Sequence, residues 1–129
     1  MKKHLLATAL LASSFTANAT IVEMQTDMVS ITVHLYDQQK PVTVENFLNY
    51  VAYGSYDGTV IHRSVGNFIL QGGGFKFGTD FDAIDTADAI TNEPELSNVK
   101  GTIAMAKLGG NANSATSQWF FNLKDNSAN

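Results

Sequence analysis

The sequence predicts a mainly β domain, an antiparallel barrel or sandwich carrying one capping helix. Three observations lead there. Val29, Ile31, Val33 and Leu35 alternate with Ser30, Thr32, His34 and Tyr36, the period of a half-buried antiparallel strand. Only one stretch has helical spacing: Val44, Phe47, Leu48 and Val51 fall at i, i+3, i+4 and i+7 on one face. The other apolar runs are short, rich in β-formers, and separated by Gly, Asn, Asp and Ser.

Taken in chain order, the first zone is not part of that domain. Lys2, Lys3 and His4 make a basic start, Leu5 to Phe15 is an apolar run, and Ala17-Asn18-Ala19 supplies small residues at a cleavage site. This is the layout of a secretory signal peptide over residues 1–19, followed by a domain over 20–129. The apolar run is too short to cross a bilayer. The short basic region, with no cysteine to carry a lipid, makes a bacterial periplasm the expected destination, with no membrane association after cleavage.

Within the domain, strands are expected at 21–25 and 29–36, with Thr26-Asp27 as the turn between them and Pro41 ending the extended run. Thr43 is the expected N-cap of the helix, and Gly54 stands where a left-handed C-cap is needed. Tyr56-Asp57-Gly58 reads as a turn. Strands follow at 59–63 and 67–71, the latter closed by Gly72-Gly73-Gly74. Residues 75–97 read as a polar, acid-rich loop, and the last strands fall at 101–106 and 117–123.

Composition narrows the function classes. The 129 residues are 44% hydrophobic and 16% charged, as in a single globular domain. With no cysteine, disulfides, thiolate catalysis and cysteine-ligated metals are excluded. Once Lys2 and Lys3 are set aside, six basic and twelve acidic residues remain, a net charge of −6 that disfavours binding to nucleic acid.

Motifs for other chemistry fail on spacing. Gly72-Gly73-Gly74 with Gly78 matches neither a dinucleotide fingerprint nor a P-loop. Asp80, Asp82, Asp85 and Asp88 lack the register of a calcium loop and read as a solvated acidic loop. Ser114 and Ser117 have no nucleophile elbow to pair with His34 or His62.

Three runs remain: Ile61-His62-Arg63-Ser64-Val65-Gly66-Asn67-Phe68-Ile69-Leu70-Gln71-Gly72-Gly73, Gly101-Thr102-Ile103-Ala104-Met105-Ala106, and Ser114-Ala115-Thr116-Ser117-Gln118-Trp119-Phe120-Phe121. Together, in this order and at these separations, they resemble the cyclophilin family, whose hallmarks are F-H-R-x-x-x-x-F-x-x-Q-G-G, G-x-x-x-M-A and S-Q-F-F. The resemblance runs from about Ile21 to the last residue and is nearest the secreted bacterial branch. It implies a cyclophilin-like antiparallel barrel and peptidyl-prolyl cis/trans isomerase activity on exported, proline-containing polypeptides. It also implies a monomer needing neither cofactor nor metal. By the same resemblance Arg63 is the catalytic arginine and Gln71 orients it. Phe68, Ile69 and Phe120 form the proline pocket, and Ala106, Lys107 and Gln118 complete the substrate-binding set.

Outside that pattern, an arginine near a hairpin is ordinarily a solvated surface residue, and Phe68 and Phe120 are ordinarily core. His62 alternates away from Arg63 and is expected to be structural. A binding module or holdase that captures proline peptides without turnover, or an inactive fragment, are the competing readings. Three departures matter. Met105-Ala106 continues into Lys107-Leu108 where the family usually has Asn, Ile69 stands for the usual methionine, and the loop from Gly109 to Thr116 is longer than in common eukaryotic members. The family's remaining strands and second helix have no counterpart after Asn129, so the resemblance implies a barrel incomplete at its C-terminal side.

Overall fold

A computed structural model of the protein describes residues 18–128, so most of the expected signal peptide lies outside the described residues. The elements in order are β1 (Ile21–Gln25), β2 (Ser30–His34), α1 (Pro41–Ala52), β3 (Arg63–Val65), β4 (Ile69–Gly72), β5 (Phe75–Phe77), β6 (Phe81–Ala83), β7 (Ile103–Met105) and β8 (Trp119–Asn122). Among the described residues the fold is mainly β with one helix, as expected.

β1 and β2 form an antiparallel hairpin in which Val22 faces Val33 and Met24 faces Ile31. That face packs on the core of Val33, Leu35, Val44, Phe47 and Trp119. The expected strand at 29–36 is shorter at both ends. Val29 belongs to the turn, where its N–H donates to the Thr26 hydroxyl, and it is exposed. Before β1, Thr20 donates both its N–H and its hydroxyl to the Asp37 carboxylate, at 2.7 and 2.6 Å.

The helix corrects two expectations and bears out a third. Thr43 is not its N-cap. Pro41, whose fixed φ suits the first helical turn, starts α1 two residues earlier, and Lys40 at the N-cap makes no side-chain cap bond. The cap comes from Glu93, 50 residues further on. One of its oxygens accepts from the Thr43 N–H and hydroxyl, each at 2.7 Å, and the other from the Val42 N–H at 3.4 Å. Desolvation works to raise the Glu93 pKa, but these bonds and the Lys40 charge hold it below the ordinary carboxylate value. At the other end Gly54, at φ 67°, lets its own N–H reach the Val51 carbonyl and the Ser55 N–H reach that of Tyr50, a Schellman closure. The buried face is Val44, Asn46, Phe47 and Tyr50; Val51 is exposed, contrary to the expected stripe.

The expected loop at 75–97 is also corrected. Residues 75–83 form the β5–β6 hairpin, with Phe77 opposite Phe81 and Lys76 opposite Asp82. The alternating Phe75, Lys76, Phe77 carries the strand, and its signal was masked by the acidic residues around it. From there to residue 97 the chain is irregular apart from a bridge between Ile90 and Ala115.

The site rests on a four-stranded antiparallel sheet in the order β3-β4-β8-β7. The β1–β2 and β5–β6 hairpins are separate two-stranded sheets, so the described strands do not close into one barrel. Registers place Leu70, Phe121 and Ile103 in one row and Gly72, Trp119 and Met105 in the next, all on the face turned to the core.

Candidate active site

The opposite face of the same sheet holds the predicted residues. Arg63 pairs with Gln71, Gln71 with Phe120, and Phe120 with Ala104, so these four form a cross-strand row on one face. Ile69 and Gln118, two residues from Gln71 and Phe120, share that face because strand side chains alternate. The β3–β4 turn is tight: the Phe68 N–H donates to the Val65 carbonyl, and Asn67 takes φ 56°. Asparagine tolerates that left-handed position better than most residues, and the turn sets the Phe68 ring 6.0 Å from the Arg63 guanidinium carbon. Lys124 Nζ stands at the same distance from that ring.

A chain of amides fixes the arginine. Arg63 Nη1 donates to Gln71 Oε1 at 3.3 Å, and Gln71 Nε2 donates to Gln118 Oε1 at 2.8 Å. Arginine has no acceptor, so the carbonyl end of Gln71 must face it and its NH₂ end must face Gln118. Arg63 is exposed, and among the described residues Gln71 is the one side-chain hydrogen-bond partner of its guanidinium. Gln118 is set from behind: Asn46 Nδ2 donates to the Thr116 carbonyl and the Tyr56 hydroxyl to the Ser117 carbonyl, both at 2.7 Å. Burial, with the neighbouring Tyr50, pushes the Tyr56 phenol well above its ordinary pKa, so it stays a donor.

Other predicted residues stand differently. Ile69 is 5% exposed and offers a ligand little surface; it is floor rather than wall. The Ala106 N–H is engaged by the Gln118 carbonyl at 2.8 Å. Lys107 is exposed and turns away from Arg63, its Nζ donating to Asn92 Oδ1 at 3.2 Å. It borders a cleft of about 660 Å³ between the 90–99 loop, the start of α1 and β7. That cleft meets the site at Phe120 and Lys107 but does not reach Arg63, Gln71 or Phe68. His62 is structural as expected, its ring edge-on to Phe75 at 4.8 Å.

Sequence reasoning missed the support under Phe68. The Phe68 carbonyl accepts from the Leu123 N–H at 2.9 Å and from Asn126 Nδ2 at 3.0 Å. Asn126 also donates to Asn122 Oδ1, and Asn122 to the Thr102 hydroxyl. Asn122 and Asn126 are 1% and 3% exposed. Two asparagines in a polar stretch give no local sign of burial.

Comparison with known proteins fits this geometry. Residues 21–129 match the family described as cyclophilin type peptidyl-prolyl cis-trans isomerase/CLD. A peptidyl-prolyl cis-trans isomerase of Acinetobacter baylyi is 43% identical over 119 residues, which are 91% of this chain and 62% of that protein. Peptidyl-prolyl cis-trans isomerase A of Dickeya dadantii is 39% identical, over 98% of this chain and 70% of its own length. Isomerase B of Escherichia coli is 40% identical, over 82% and 64%. The chain thus spans somewhat under two thirds of the Acinetobacter and Escherichia relatives. Among solved structures, a Cryptosporidium parvum cyclophilin type isomerase, crystallised in the presence of the dipeptide Ala-Pro, superposes with a TM-score of 0.71 at 25% identity, covering 84% of this chain and 71% of that one. With the arginine–glutamine row, the flanking phenylalanines and the match over nearly the whole described chain, this protein belongs to the cyclophilin-type peptidyl-prolyl cis-trans isomerase family.

Proposed function

We propose that this chain accelerates cis/trans rotation about X-Pro peptide bonds in polypeptides exported to the periplasm. The observation that carries the reading is the Arg63 guanidinium, oriented by Gln71 and set beside Phe68, on a face shared with Phe120. Rotation about an amide requires no nucleophile, cofactor or proton relay. Its barrier, about 18–20 kcal/mol, comes from the resonance that keeps the bond planar. In the twisted transition state that resonance is lost and the proline nitrogen regains a lone pair. A fixed donor aimed there stabilises the twisted form more than either planar isomer, which is what acceleration demands. Phe68 and Phe120 supply apolar surface for a pyrrolidine ring, and their low-polarity walls strengthen the arginine's field on the reacting nitrogen. The Ala-Pro dipeptide of the Cryptosporidium relative supports a proline-bearing ligand.

Export rests on the three zones before Thr20. The clamp of Asp37 on Thr20 suits it: cleavage after Ala19 would turn that N–H into an ammonium already in contact with a carboxylate. Mass spectrometry of the periplasmic fraction should find Thr20 as the first residue; cytoplasmic protein retaining Met1 would contradict export.

The activity is tested by isomerisation of an X-Pro peptide, followed by a protease-coupled assay and by NMR exchange. Turnover should be nearly flat from about pH 6 to 8, because no titrating group acts. Binding without turnover would favour a holdase, and a bell-shaped profile would contradict the mechanism.

A further inference from the structure

The three glycines that follow Gln71 do different work. A β-carbon on Gly72 would lie 3.0 Å from both Ile61 Cδ1 and Trp119 Cη2. One on Gly73 would lie 2.5 Å from Trp119 Nε1 and 2.9 Å from the Ser117 carbonyl, and φ there is +77°. Both are therefore demanded by the packing of Trp119 and by the backbone. Gly74 is different. It has no left-handed φ, and the three atoms nearest its missing β-carbon all belong to the Gln118 side chain: Cγ and Cδ at 2.7 Å and Nε2 at 2.8 Å.

We propose that Gly74 is a positioning residue for isomerisation: the space it leaves empty is where the Gln118 amide lies, and through Gln71 that amide sets Arg63. The inference rests on the isomerase reading above. Nothing in the backbone at Gly74 forbids alanine, so the added methyl must be relieved by movement of Gln118, a flexible side chain, rather than of the sheet. Its Oε1 then leaves Gln71 Nε2. The Gln71 amide, held at 2.8 Å on one side and 3.3 Å on the other, loses its firmer anchor and the arginine its fixed direction. Errors of about an ångström in such a group cost up to about a hundredfold in rate.

The test is a double-mutant cycle on the full chain. Gly74→Ala should lower kcat by about ten- to a hundredfold while KM changes less than about twofold, because orientation rather than ground-state binding is lost. Gln118→Ala should lower it similarly, and Gly74→Ala/Gln118→Ala should be no worse than Gln118→Ala, since the three atoms nearest the methyl are then gone. Losses that multiply in the double variant, or a Gly74→Ala enzyme with wild-type kcat, would overturn the proposal. So would a Gly74→Ala chain that unfolds and is not rescued by Gln118→Ala, because Gly74 would then serve the fold. NMR of the Gln71 side-chain amide separates this idea from the isomerase reading. Even if the wild-type chain proves inactive, the Nε2 protons should be shifted and protected in wild type and released in Gly74→Ala. Unchanged signals would contradict the positioning role.

Discussion

The two faces of the β3-β4-β8-β7 sheet are built from the same strands and have opposite duties. On β8, Trp119 is buried against α1 and the β1–β2 hairpin with the half-buried Phe121, Ile103 and Met105 packed on the same core, while Phe120, also half-buried, lies beside Gln71 and Arg63 on the other face. The inner face is apolar and close-packed, to the point that Gly72 and Gly73 must lack side chains beneath Trp119. The outer face is a row of polar donors and acceptors linked end to end, with aromatic rings at its margins. Alternation alone makes this division: a strand segment of four residues contributes both to the core and to the candidate site. Stability and activity should therefore separate between adjacent positions.

The sharpest way to break that comparison is to truncate neighbours. Trp119→Ala should cost about 3–5 kcal/mol, the usual range for emptying a buried aromatic site, read as a fall in the urea midpoint. Phe120→Ala should cost less than about 1.5 kcal/mol yet weaken peptide binding, since its ring is only partly covered. Equal stability losses from the two would mean that the faces are not distinct.

A second perturbation probes the support beneath Phe68. Asn126→Ala removes one of two donors to the Phe68 carbonyl and the partner of Asn122 Oδ1, so about 1–3 kcal/mol should be lost. No change in stability would show that water replaces the asparagine at no cost.

A third lies at the start of α1. Glu93→Ala should destabilise by about 1 kcal/mol, as for the loss of a helix cap. Because its bonds hold the folded pKa of Glu93 below its unfolded value, its contribution is complete above the ordinary carboxylate range and fades as pH falls through the lowered folded pKa. Glu93→Gln should remove that part of the acid sensitivity; an unaltered acid transition would contradict the assignment. Smallest of all, Phe77→Ser on the exposed tip of the β5–β6 hairpin, where Phe77 is 69% exposed, should stay within about 0.5 kcal/mol of wild type. A larger loss would show that the Phe77–Phe81 contact is structural.

What could be read from the sequence was whatever depends on near neighbours in the chain. Alternation located β2, short apolar runs bounded by turn residues located β1, β4, β7 and β8, and the helical spacing located α1. The resemblance carried by the three motifs groups Arg63, Gln71, Phe68, Gln118 and Phe120 in one site, and strand alternation puts Gln118 on the same face as Phe120 and Ile69 on that of Gln71. What could not be read depends on partners distant in sequence. Thr43 looked like a cap because local signals name the nearest hydroxyl, whereas the real cap is Glu93, 50 residues away. Val51 fitted the apolar stripe, but Tyr50 is the residue turned inward. The β5–β6 hairpin is hidden because its apolar residues alternate with Lys76 and Asp82 in an acid-rich stretch, and Phe77 and Phe81 stay exposed. Asn122 and Asn126 carry no mark of burial, and nothing near Lys107 in the chain foretells that its ammonium donates to Asn92.

The central claim is that Arg63 performs the chemistry while contributing little to the fold. It is tested most directly by measuring kcat/KM and the thermal midpoint of Arg63→Ala and Arg63→Lys beside the wild-type chain. Arg63→Ala should lose about 10²–10³ in kcat/KM, the usual effect of removing one transition-state donor. Its stability should move by no more than about 0.5 kcal/mol, as for an exposed side chain. Arg63→Lys should recover little of the rate, because an ammonium lacks the planar fork that Gln71 holds. Wild-type turnover in Arg63→Ala, or a loss of activity that merely tracks a loss of folded protein, would contradict the account.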